Sequence, residues 1–478
     1  MATEVPPDNQ PRLHRVLGTW DLVLLNVAAI VGLRWLSTAA QIGPSSLALW
    51  VLGLLGFFIP LALAVIELSS RVPGEGGLYL WTKAAFGDVH GFVAGWTYWI
   101  ANLVFFPSAL LFGAGVALHI GGDRWLALSG DSSYNLVYCL IVLWVATGLS
   151  ILGLERAKWL QNIGAVATWV AAAMILAAGA LSAYRFGAAT SFTADNMVPD
   201  FSKLSTYSTF ATIALAFAGL ELGPILGGEI RDPRRQIPRA TLISCVIIAA
   251  IYVAGTASLL VALPSTLIDA IAGIPQALGA IGERIGAPWF GPMTAGLVAM
   301  ASIGGVSAFV TGTARLPFVV GVDRYLPAPM ARLHTRHGTP YVALITQGVL
   351  TSIILVAALS GSTIHEAFVI LIDMTAITSL LPLLYIMAAY PLMRLRAPGS
   401  RDGVTATRGG PILSCIAGAV GFATTMLAIV TSTIPPEDNH SPGLFLLKVV
   451  GGSIVLVGVG LVFYWRARLR RASALAAA

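Results

Sequence analysis

Charged residues are scarce in this chain. Only 10% of its 478 residues are Asp, Glu, Lys or Arg, whereas 57% are hydrophobic, and the mean hydropathy is +0.83. A soluble globular domain carries about 25% charged residues, so the composition excludes that class of protein. Length and hydropathy together indicate a membrane protein with many spans.

Cysteine is almost absent, and its three occurrences form no chemical pattern. Cys139, Cys245 and Cys415 are far apart in the chain, so no pair has the spacing of metal ligands or of a redox motif, and packing explains each of them. The sequence also lacks HExxH, CxxC, GxSxG and Walker motifs. We therefore expect no catalytic site, no metal site, no cofactor and no pumping driven by ATP.

Long hydrophobic runs are what the chain has in abundance. About twenty apolar residues cross the hydrocarbon core as a helix, and this length predicts about twelve transmembrane helices. The predicted spans lie near residues 20–41, 47–67, 90–118, 134–153, 158–183, 206–228, 238–262, 289–318, 340–359, 367–393, 411–431 and 443–465. Most are joined by short loops, which predicts one transmembrane domain at 16–466, with cytosolic tails at 1–15 and 467–478.

Positive charge is distributed unevenly between the loops. Most of the 28 Lys and Arg residues lie on the side that holds both termini and the loops after the even-numbered spans. Under the positive-inside rule this side is cytosolic. The net charge of +6 reflects the same asymmetry, and it predicts contact with anionic lipid and not with nucleic acid. We expect a multi-pass protein of the plasma (inner) membrane.

The sixth span contains residues that an uninterrupted membrane helix would lack. Glu221 and Glu229 place two carboxylates in the stretch 217–229, which also holds glycines and a proline. Charge inside the membrane is costly and usually functional, and Gly and Pro free backbone groups that protein or a polar cavity must satisfy. The sequence therefore predicts a broken helix that offers its backbone to a small polar ligand near the membrane midplane.

The first span carries a matching interruption. Gly-Leu-Arg at 32–34 parallels Gly-Leu-Glu at 219–221, and each triplet lies well inside its span. Transporters built from inverted repeats have two such interrupted helices in corresponding positions. We expect five-helix repeats at 20–183 and 206–393, followed by two extra helices within 411–465.

Three motifs in the chain resemble those of the amino acid/polyamine/organocation (APC) superfamily of permeases. Residues 217–239 (FAGLELGPILGGEIRDPRRQIPR) resemble its broken sixth helix and the cytosolic loop that follows. Residues 67–96 resemble the loop after helix 2 and the start of helix 3, and residues 315–340 resemble the stretch between helices 8 and 9. The pattern Leu33-Arg-x-Leu36 with Asn102 is similar to the branch of glutamate/GABA antiporters.

The resemblance implies an all-α, LeuT-like inverted-repeat fold with breaks in helices 1 and 6. It also implies a secondary transporter of amino acids or close derivatives that works by alternating access, as an exchanger or as an ion-coupled symporter using H+ or Na+. The rival functions are a polyamine or organic cation carrier and a membrane nutrient sensor that does not transport. The implied substrate contacts are Gly32, Leu33, Arg34, Trp35, Asn102, Phe217, Ala218, Gly219, Leu220 and Glu221.

Two charged residues could divide a zwitterion between them. Arg34 could clamp a carboxylate with its forked guanidinium, and Glu221 could hold the amine. The alternative is structural, with Arg34 paired to Glu221 or to Asp373 so that each charge persists inside the membrane. Asn102 could face the ligand or join two helices.

Other polar residues of the spans are candidates for coupling. Ser302, Ser307 and Thr311 of span 8 lie where related folds hold Na+ against the break in helix 1, although hydroxyls in membrane helices more often bond the preceding turn. Asp373 is a lone acid in span 10, and it could carry a proton or bond a neighbouring helix.

Gates are expected on both sides of the site. Trp35, Tyr98 and Phe217 could form aromatic lids, or they could simply pack in the bundle. Glu67 and Glu229 lie at cytosolic ends of spans, beside basic residues such as Arg71 and those at 231–235, and are expected to form ion pairs that lock this side.

Overall fold

The chain is almost entirely helical in the computed structural model. The described part of the chain has no β-strand, and its extended pairings are single bridges that join Leu17 to Ile230 and Glu75 to Leu226. The predicted all-α class is thus confirmed. Most of the predicted N-terminal tail lies outside the described residues, which are 15–269, 271–360, 364–397, 409–434 and 442–476.

The helices follow one another with short connections. In chain order they are α1 Thr19–Ile30, α2 Arg34–Ala40, α3 Ser45–Gly53, α4 Ile59–Arg71, α5 Leu78–Phe86, α6 Asp88–Leu118, α7 Asp123–Leu126, α8 Ser132–Ile151, α9 Leu154–Phe186, α10 Ala194–Met197, α11 Leu204–Ala216, α12 Leu222–Ile225, α13 Pro233–Ala262, α14 Gly273–Arg284, α15 Phe290–Thr313, α16 Arg315–Val322, α17 Tyr341–Leu359, α18 Ile364–Arg396, α19 Gly410–Thr431, α20 Pro442–Leu446 and α21 Gly452–Ala476. A π turn at Leu54–Phe58 joins α3 to α4, and another at Leu447–Gly451 joins α20 to α21.

The number of membrane helices differs slightly from the predicted twelve. Among the described residues, ten helices are long and apolar enough to cross a membrane, and the bent pair of α1 and α2 adds an eleventh. The remaining predicted span, at 206–228, is divided into α11 and α12, and neither piece is long enough to cross alone. The difference therefore arises from the break that the sequence predicts in that span.

Both predicted breaks are present and lie against each other. α1 ends at Ile30 and α2 begins at Arg34 with a bend of 44°. Gly219 has a φ of +130°, which glycine adopts without strain. A Cβ atom on Gly219 would lie 2.7 Å from Cγ1 of Ile30, so the second break packs directly on the end of α1.

Long helices enclose the two breaks. α15 packs on α6 and α9, α18 packs on α6, and α13 contacts both α1 and α9. The last helix, α21, contacts α6, where the indole of Trp96 donates to the Leu456 carbonyl at 2.9 Å. α21 continues to Ala476, beyond residue 466, where the sequence predicts the end of the membrane domain.

Candidate functional site

The second break, between α11 and α12, is connected to α6 by hydrogen bonds of Glu221. Its carboxylate accepts the backbone N–H of Gly219 at 3.0 Å and the hydroxyl of Tyr98 at 2.9 Å. Glu221 is only 1% exposed. A carboxylate has about four lone-pair sites, so Glu221 keeps room to accept a further donor such as the ammonium of a ligand.

Arg34 is a buried cation that has no anion beside it. It is 4% exposed, and its Nε atom has no hydrogen-bond acceptor. Its guanidinium lies over the rings of Trp35 and Phe105, at 4.2 and 4.9 Å from their centroids. No described carboxylate lies within ion-pair distance, so the alternative of a structural pair with Glu221 or Asp373 is wrong.

The surroundings of Arg34 favour the binding of an anion. Arg34 is the first residue of α2, where the positive end of the helix dipole adds to its own charge. Contact of a desolvated cation with aromatic rings returns about 2 kcal/mol, whereas burial of an ion costs several kcal/mol. A negatively charged group beside Arg34 would offset this difference.

Two small cavities lie side by side at the breaks, and each has a volume of about 40 Å³. The Arg34 cavity is lined by Gly32, Leu33, Arg34, Ser302 and apolar residues of α1, α6 and α15. The Glu221 cavity is lined by Tyr98, Asn102, Ala218, Gly219, Glu221 and residues of α11 and α18. Trp35, Phe105 and Ala29 line both cavities and separate them.

The cavities are too small for an amino acid. A volume of about 40 Å³ accommodates a water molecule or two. The site that the sequence predicts for a small polar ligand near the midplane therefore has no space for an amino acid in this conformation, because Trp35 and Phe105 line both cavities and fill the region between them. The arrangement is that of a closed site.

Most of the predicted contact residues do line one of the two cavities, but Phe217 and Leu220 do not. Phe217 stacks on Phe58 with ring centroids 4.5 Å apart, and Leu220 is fully buried. Asn102 donates to the Tyr98 carbonyl at 2.8 Å within its own helix, and it still lines the Glu221 cavity.

Tyr252 on α13 is a site residue that the sequence reasoning missed. Its hydroxyl donates to the carbonyl groups of Ile30 and Ala216, the latter at 2.9 Å, and these residues end α1 and α11. The ring is fully buried and stacks on Trp50 with centroids 4.4 Å apart. A single tyrosine in an apolar span looks like packing, so only the contact across three helices reveals it.

Asp373 faces a third cavity, on the predicted outer side, with a volume of about 220 Å³. This outer cavity is lined by residues of α11, α18 and the end of α19. Leu215 lines both the outer cavity and the Glu221 cavity. The role of Asp373 in coupling remains a prediction.

The two serines that we consider as sodium ligands differ in their hydrogen bonds. Ser302 donates to the Ala109 carbonyl of α6 at 2.9 Å, whereas the buried hydroxyl of Ser307 has no partner in the described residues. A Cβ atom on Gly305 would lie 2.6 Å from the Ala28 carbonyl oxygen, so α15 and α1 touch at this level. Sodium binding there remains a prediction.

Glu229 is bound by a residue that the sequence reasoning did not connect to it. Arg315 of α16 donates to its carboxylate at 2.9 and 3.2 Å, and Arg315 is fully buried. The predicted partners at 231–235 are therefore wrong. They lie on an exposed stretch where Arg235 is 3.8 Å from Asp232.

A second acid, Glu75, adjoins this pair and also escaped prediction. Its carboxylate accepts the Gly228 N–H at 2.7 Å and lies 3.9 Å from Nε of Arg315. Burial, together with the negative charge of Glu229, raises the pKa of Glu75 to about 8, although Arg315 and the Gly228 N–H oppose the shift.

Glu67 locks the end of α4 to the end of α18. It contacts Arg71 at 2.7 Å, as the sequence predicts, and Arg394 at 3.2 Å. Arg71 also donates to the Ala397 carbonyl at 3.0 Å. Two clusters of charged residues thus close the predicted cytosolic side.

Comparison with known proteins agrees with this architecture. Residues 17–458 match the family model described as amino acid permease. Over 457 residues the chain is 28% identical to an uncharacterised transporter of Legionella pneumophila, with 94% of this chain and 96% of the relative covered.

Two further relatives are described as antiporters of Lactococcus lactis. A glutamate/gamma-aminobutyrate antiporter is 26% identical, with 83% of this chain and 80% of the relative covered. A probable agmatine/putrescine antiporter is 23% identical, with 88% of each chain covered.

The fold is similar to that of a solved transporter structure, MhsT in complex with L-phenylalanine. The TM-score is 0.59 at 13% identity, with 94% of this chain and 99% of that chain covered. This similarity confirms the predicted LeuT-like fold. Since the permease family model extends over nearly the whole sequence, the chain belongs to the amino acid permease family.

Proposed function

We propose that the protein is a secondary transporter that carries amino acids or close derivatives across the plasma membrane by alternating access. It would act as an exchanger or as a symporter coupled to H+ or Na+. One observation carries the proposal. Trp35 lines both cavities at the helix breaks, one of which is lined by Arg34, whose Nε has no acceptor, and the other by Glu221.

The charges at the breaks are complementary to those of an amino acid. Arg34 would hold the carboxylate, because it is buried without an anion. Glu221, already bound by Tyr98 and Gly219, would accept the ammonium. Both charged groups of the substrate would then be satisfied out of contact with water, as a membrane site requires.

Arg34 also indicates which class of substrate, among those named for the relatives, this chain would bind. Both glutamate/gamma-aminobutyrate and agmatine/putrescine antiporters are similar to this chain. A substrate with only cationic groups would leave the Arg34 charge unopposed and would add repulsion to it. We therefore favour a zwitterionic or acidic substrate over a polyamine.

The conformation corresponds to a closed step of the cycle. Trp35 and Phe105 fill the space between the small cavities, and the ion pairs of Glu67 and Glu229 close the side that we assign to the cytosol. Transport would require the indole of Trp35 to move and one of the two sides to open. With basic loops on the closed side, both termini would be cytosolic.

Uptake into proteoliposomes tests the proposal. The purified full-length chain would be assayed with radiolabelled L-glutamate, GABA, L-leucine, L-arginine and putrescine, with and without Na+ or H+ gradients and with empty or preloaded vesicles. We expect saturable uptake of at least one zwitterionic or acidic compound. Exclusive uptake of putrescine would establish the polyamine carrier instead, and binding without flux would establish a sensor.

A further inference from the structure

A basic cavity opens on the side that we assign to the cytosol, between the start of α9 and the loop that precedes α17. Its volume is about 320 Å³, and its lining includes Arg156, Arg336 and His337. No ion pair among the described residues includes either arginine. Partial desolvation lowers the pKa of His337, and the positive charges of both arginines and of His334 lower it further. The cationic groups therefore lie close enough to repel one another.

Two acids also line the basic cavity, but they do not cancel its positive charge. Glu229 is already held by Arg315 at 2.9 Å. Glu155 is exposed and lies in the first turn of α9, which begins after Gly153 without a side-chain cap. The free N–H groups and the positive end of the dipole at this helix start also favour an anion. Two arginines and a helix start thus face one free carboxylate, and the cavity keeps an excess of positive charge.

The loop that carries Arg336 and His337 is held in place by hydrogen bonds. The ring Nδ1 atom of His334 accepts the backbone N–H groups of Arg336 and His337 at 3.2 and 3.3 Å. The Thr339 hydroxyl donates to the Ile151 carbonyl, at the end of α8, at 2.8 Å. The basic cavity is therefore formed by elements that the fold fixes against each other.

Arg156 lies at one end of a stripe of exposed side chains on α9. The stripe continues at helical spacing and is 39–68% exposed at Trp159, Ile163, Val166 and Val170. Apolar side chains that a membrane helix exposes face the acyl chains of the lipid, and tryptophan is enriched where the membrane meets water. Since Arg156 is one turn beyond the exposed indole, the basic cavity opens at the level of the lipid headgroups.

We propose that the basic cavity binds the phosphate group of an anionic phospholipid, with Arg156 and Arg336 as its charged contacts. A guanidinium suits a phosphate because it donates two parallel hydrogen bonds. Basic pockets between membrane helices on the cytoplasmic side are places where acidic headgroups bind. The acyl chains of the lipid would lie along the exposed stripe of α9, whereas a free phosphate ion has the same charged group without the chains.

Competition binding tests the proposal on the full-length protein purified in a neutral detergent. A phosphatidylglycerol with a fluorophore on one acyl chain would be bound and then displaced by unlabelled phosphatidylglycerol, by phosphatidylcholine with the same chains, or by inorganic phosphate. The test variant is Arg156→Gln with Arg336→Gln. The matched control is Arg234→Gln with Arg235→Gln, which removes two exposed arginines outside the cavity. No transport enters the measurement, so its result is independent of the proposed function.

The expected result is a loss of affinity in one double variant only. Wild type and the control should bind phosphatidylglycerol equally, and more tightly than phosphatidylcholine. The variant Arg156→Gln with Arg336→Gln should bind phosphatidylglycerol roughly thirtyfold more weakly, whereas Glu155→Gln should bind it more tightly than wild type.

Two kinds of outcome would overturn the proposal. Unchanged affinity for phosphatidylglycerol in the variant Arg156→Gln with Arg336→Gln would do so, and so would an equal loss in the control. Displacement by inorganic phosphate as effective as that by phosphatidylglycerol would show a site for a free anion, and the lipid assignment would then be wrong.

Discussion

Arg315 and Glu229 form a forked ion pair in which both side chains are buried. Nε and Nη2 of Arg315 donate to the two carboxylate oxygens at 3.2 and 2.9 Å. Glu75 lies beside the pair, with a carboxylate oxygen 3.9 Å from Nε of Arg315. One guanidinium therefore faces two acids, and the negative charge exceeds the positive charge unless one acid takes up a proton.

Closure of the side that we assign to the cytosol should depend on pH through Glu75. Its pKa is raised from an ordinary value of 4.5 to about 8 in this closed state, whereas an open, hydrated Glu75 would return toward the ordinary value. Closure then takes up a proton. Protonation of Glu75 stabilises the closed state fully below about pH 4.5. This contribution declines as the pH rises and is lost by about pH 8.

Labelling of a buried cysteine checks this dependence. Ile225→Cys, in a chain without the three native cysteines, should react with a membrane-impermeant thiol reagent faster as the pH rises, after correction for thiolate formation on a free thiol. Glu75→Gln mimics the protonated acid and should abolish the increase. Glu155→Gln removes an exposed carboxylate from the same side and should leave it unchanged. An undiminished increase in Glu75→Gln would refute the assignment.

Removal of one charge from the Arg315 and Glu229 pair should be strongly destabilising. Arg315→Gln leaves the buried carboxylate of Glu229 unopposed, which costs about 3–5 kcal/mol, and the double variant Arg315→Gln with Glu229→Gln should recover much of the loss. Arg235→Gln disrupts an exposed contact with Asp232 at 3.8 Å and should cost at most about 1 kcal/mol. Thermal unfolding of the purified variants gives the comparison, and additive losses in the double variant would contradict a direct pair.

Arg34 should contribute to substrate affinity and little to folding. A charge-assisted hydrogen bond is worth about 1.5–3 kcal/mol, so Arg34→Ala should raise the half-saturating concentration roughly ten- to a hundredfold. Arg34→Lys should restore only part of the affinity, because an ammonium lacks the fork. Concentration dependence of uptake in proteoliposomes measures both effects.

The protein level of the Arg34 variants supplies the control. No carboxylate depends on Arg34 in the described part of the chain, so Arg34→Ala should be produced at the wild-type level. Arg394→Ala, which removes a partner of Glu67 at 3.2 Å, should lower the level. Unchanged affinity in Arg34→Ala would show that backbone groups near Gly32 hold the carboxylate.

The orientation of the chain predicts which loops can be labelled in intact cells. A cysteine at Asp195 should react with an impermeant reagent added outside, whereas a cysteine at Arg234 should react only after permeabilisation. Both positions are exposed in the structure, so accessibility to the reagent depends on the side of the membrane alone. The reverse labelling pattern would show that the inner and outer gates have been assigned to the wrong sides.

Sequence reasoning located the parts of the site that are visible along the chain. Gly219 and Glu221 predicted the break in the sixth span, between α11 and α12, because glycine and charge are both anomalous inside an apolar span. It also identified Glu67 and Glu229 as ion-pair residues, since acids at span ends need a counter-ion. These inferences depend on local composition, which a sequence displays directly.

The partners across helices could not be derived in the same way. Arg315 lies 86 positions from Glu229 along the chain, and the basic residues at 231–235 were much nearer in sequence. Tyr252 was missed because its function depends on two carbonyl groups whose convergence exists only in three dimensions. The size of the cavities could not be derived from the sequence, because it depends on where the Trp35 indole packs, and no local pattern specifies that.

Leu215 gives the two sides of the closed site unequal barriers. It lines both the outer cavity and the Glu221 cavity and is buried at 7% exposure, so on that side a packed apolar side chain lies between the two cavities. On the opposite side, buried ion pairs must separate, and each separated charge has to be hydrated. For a carrier built this way, the slower step of each turnover would be the opening on the side that carries the ion pairs of Glu67 and Glu229.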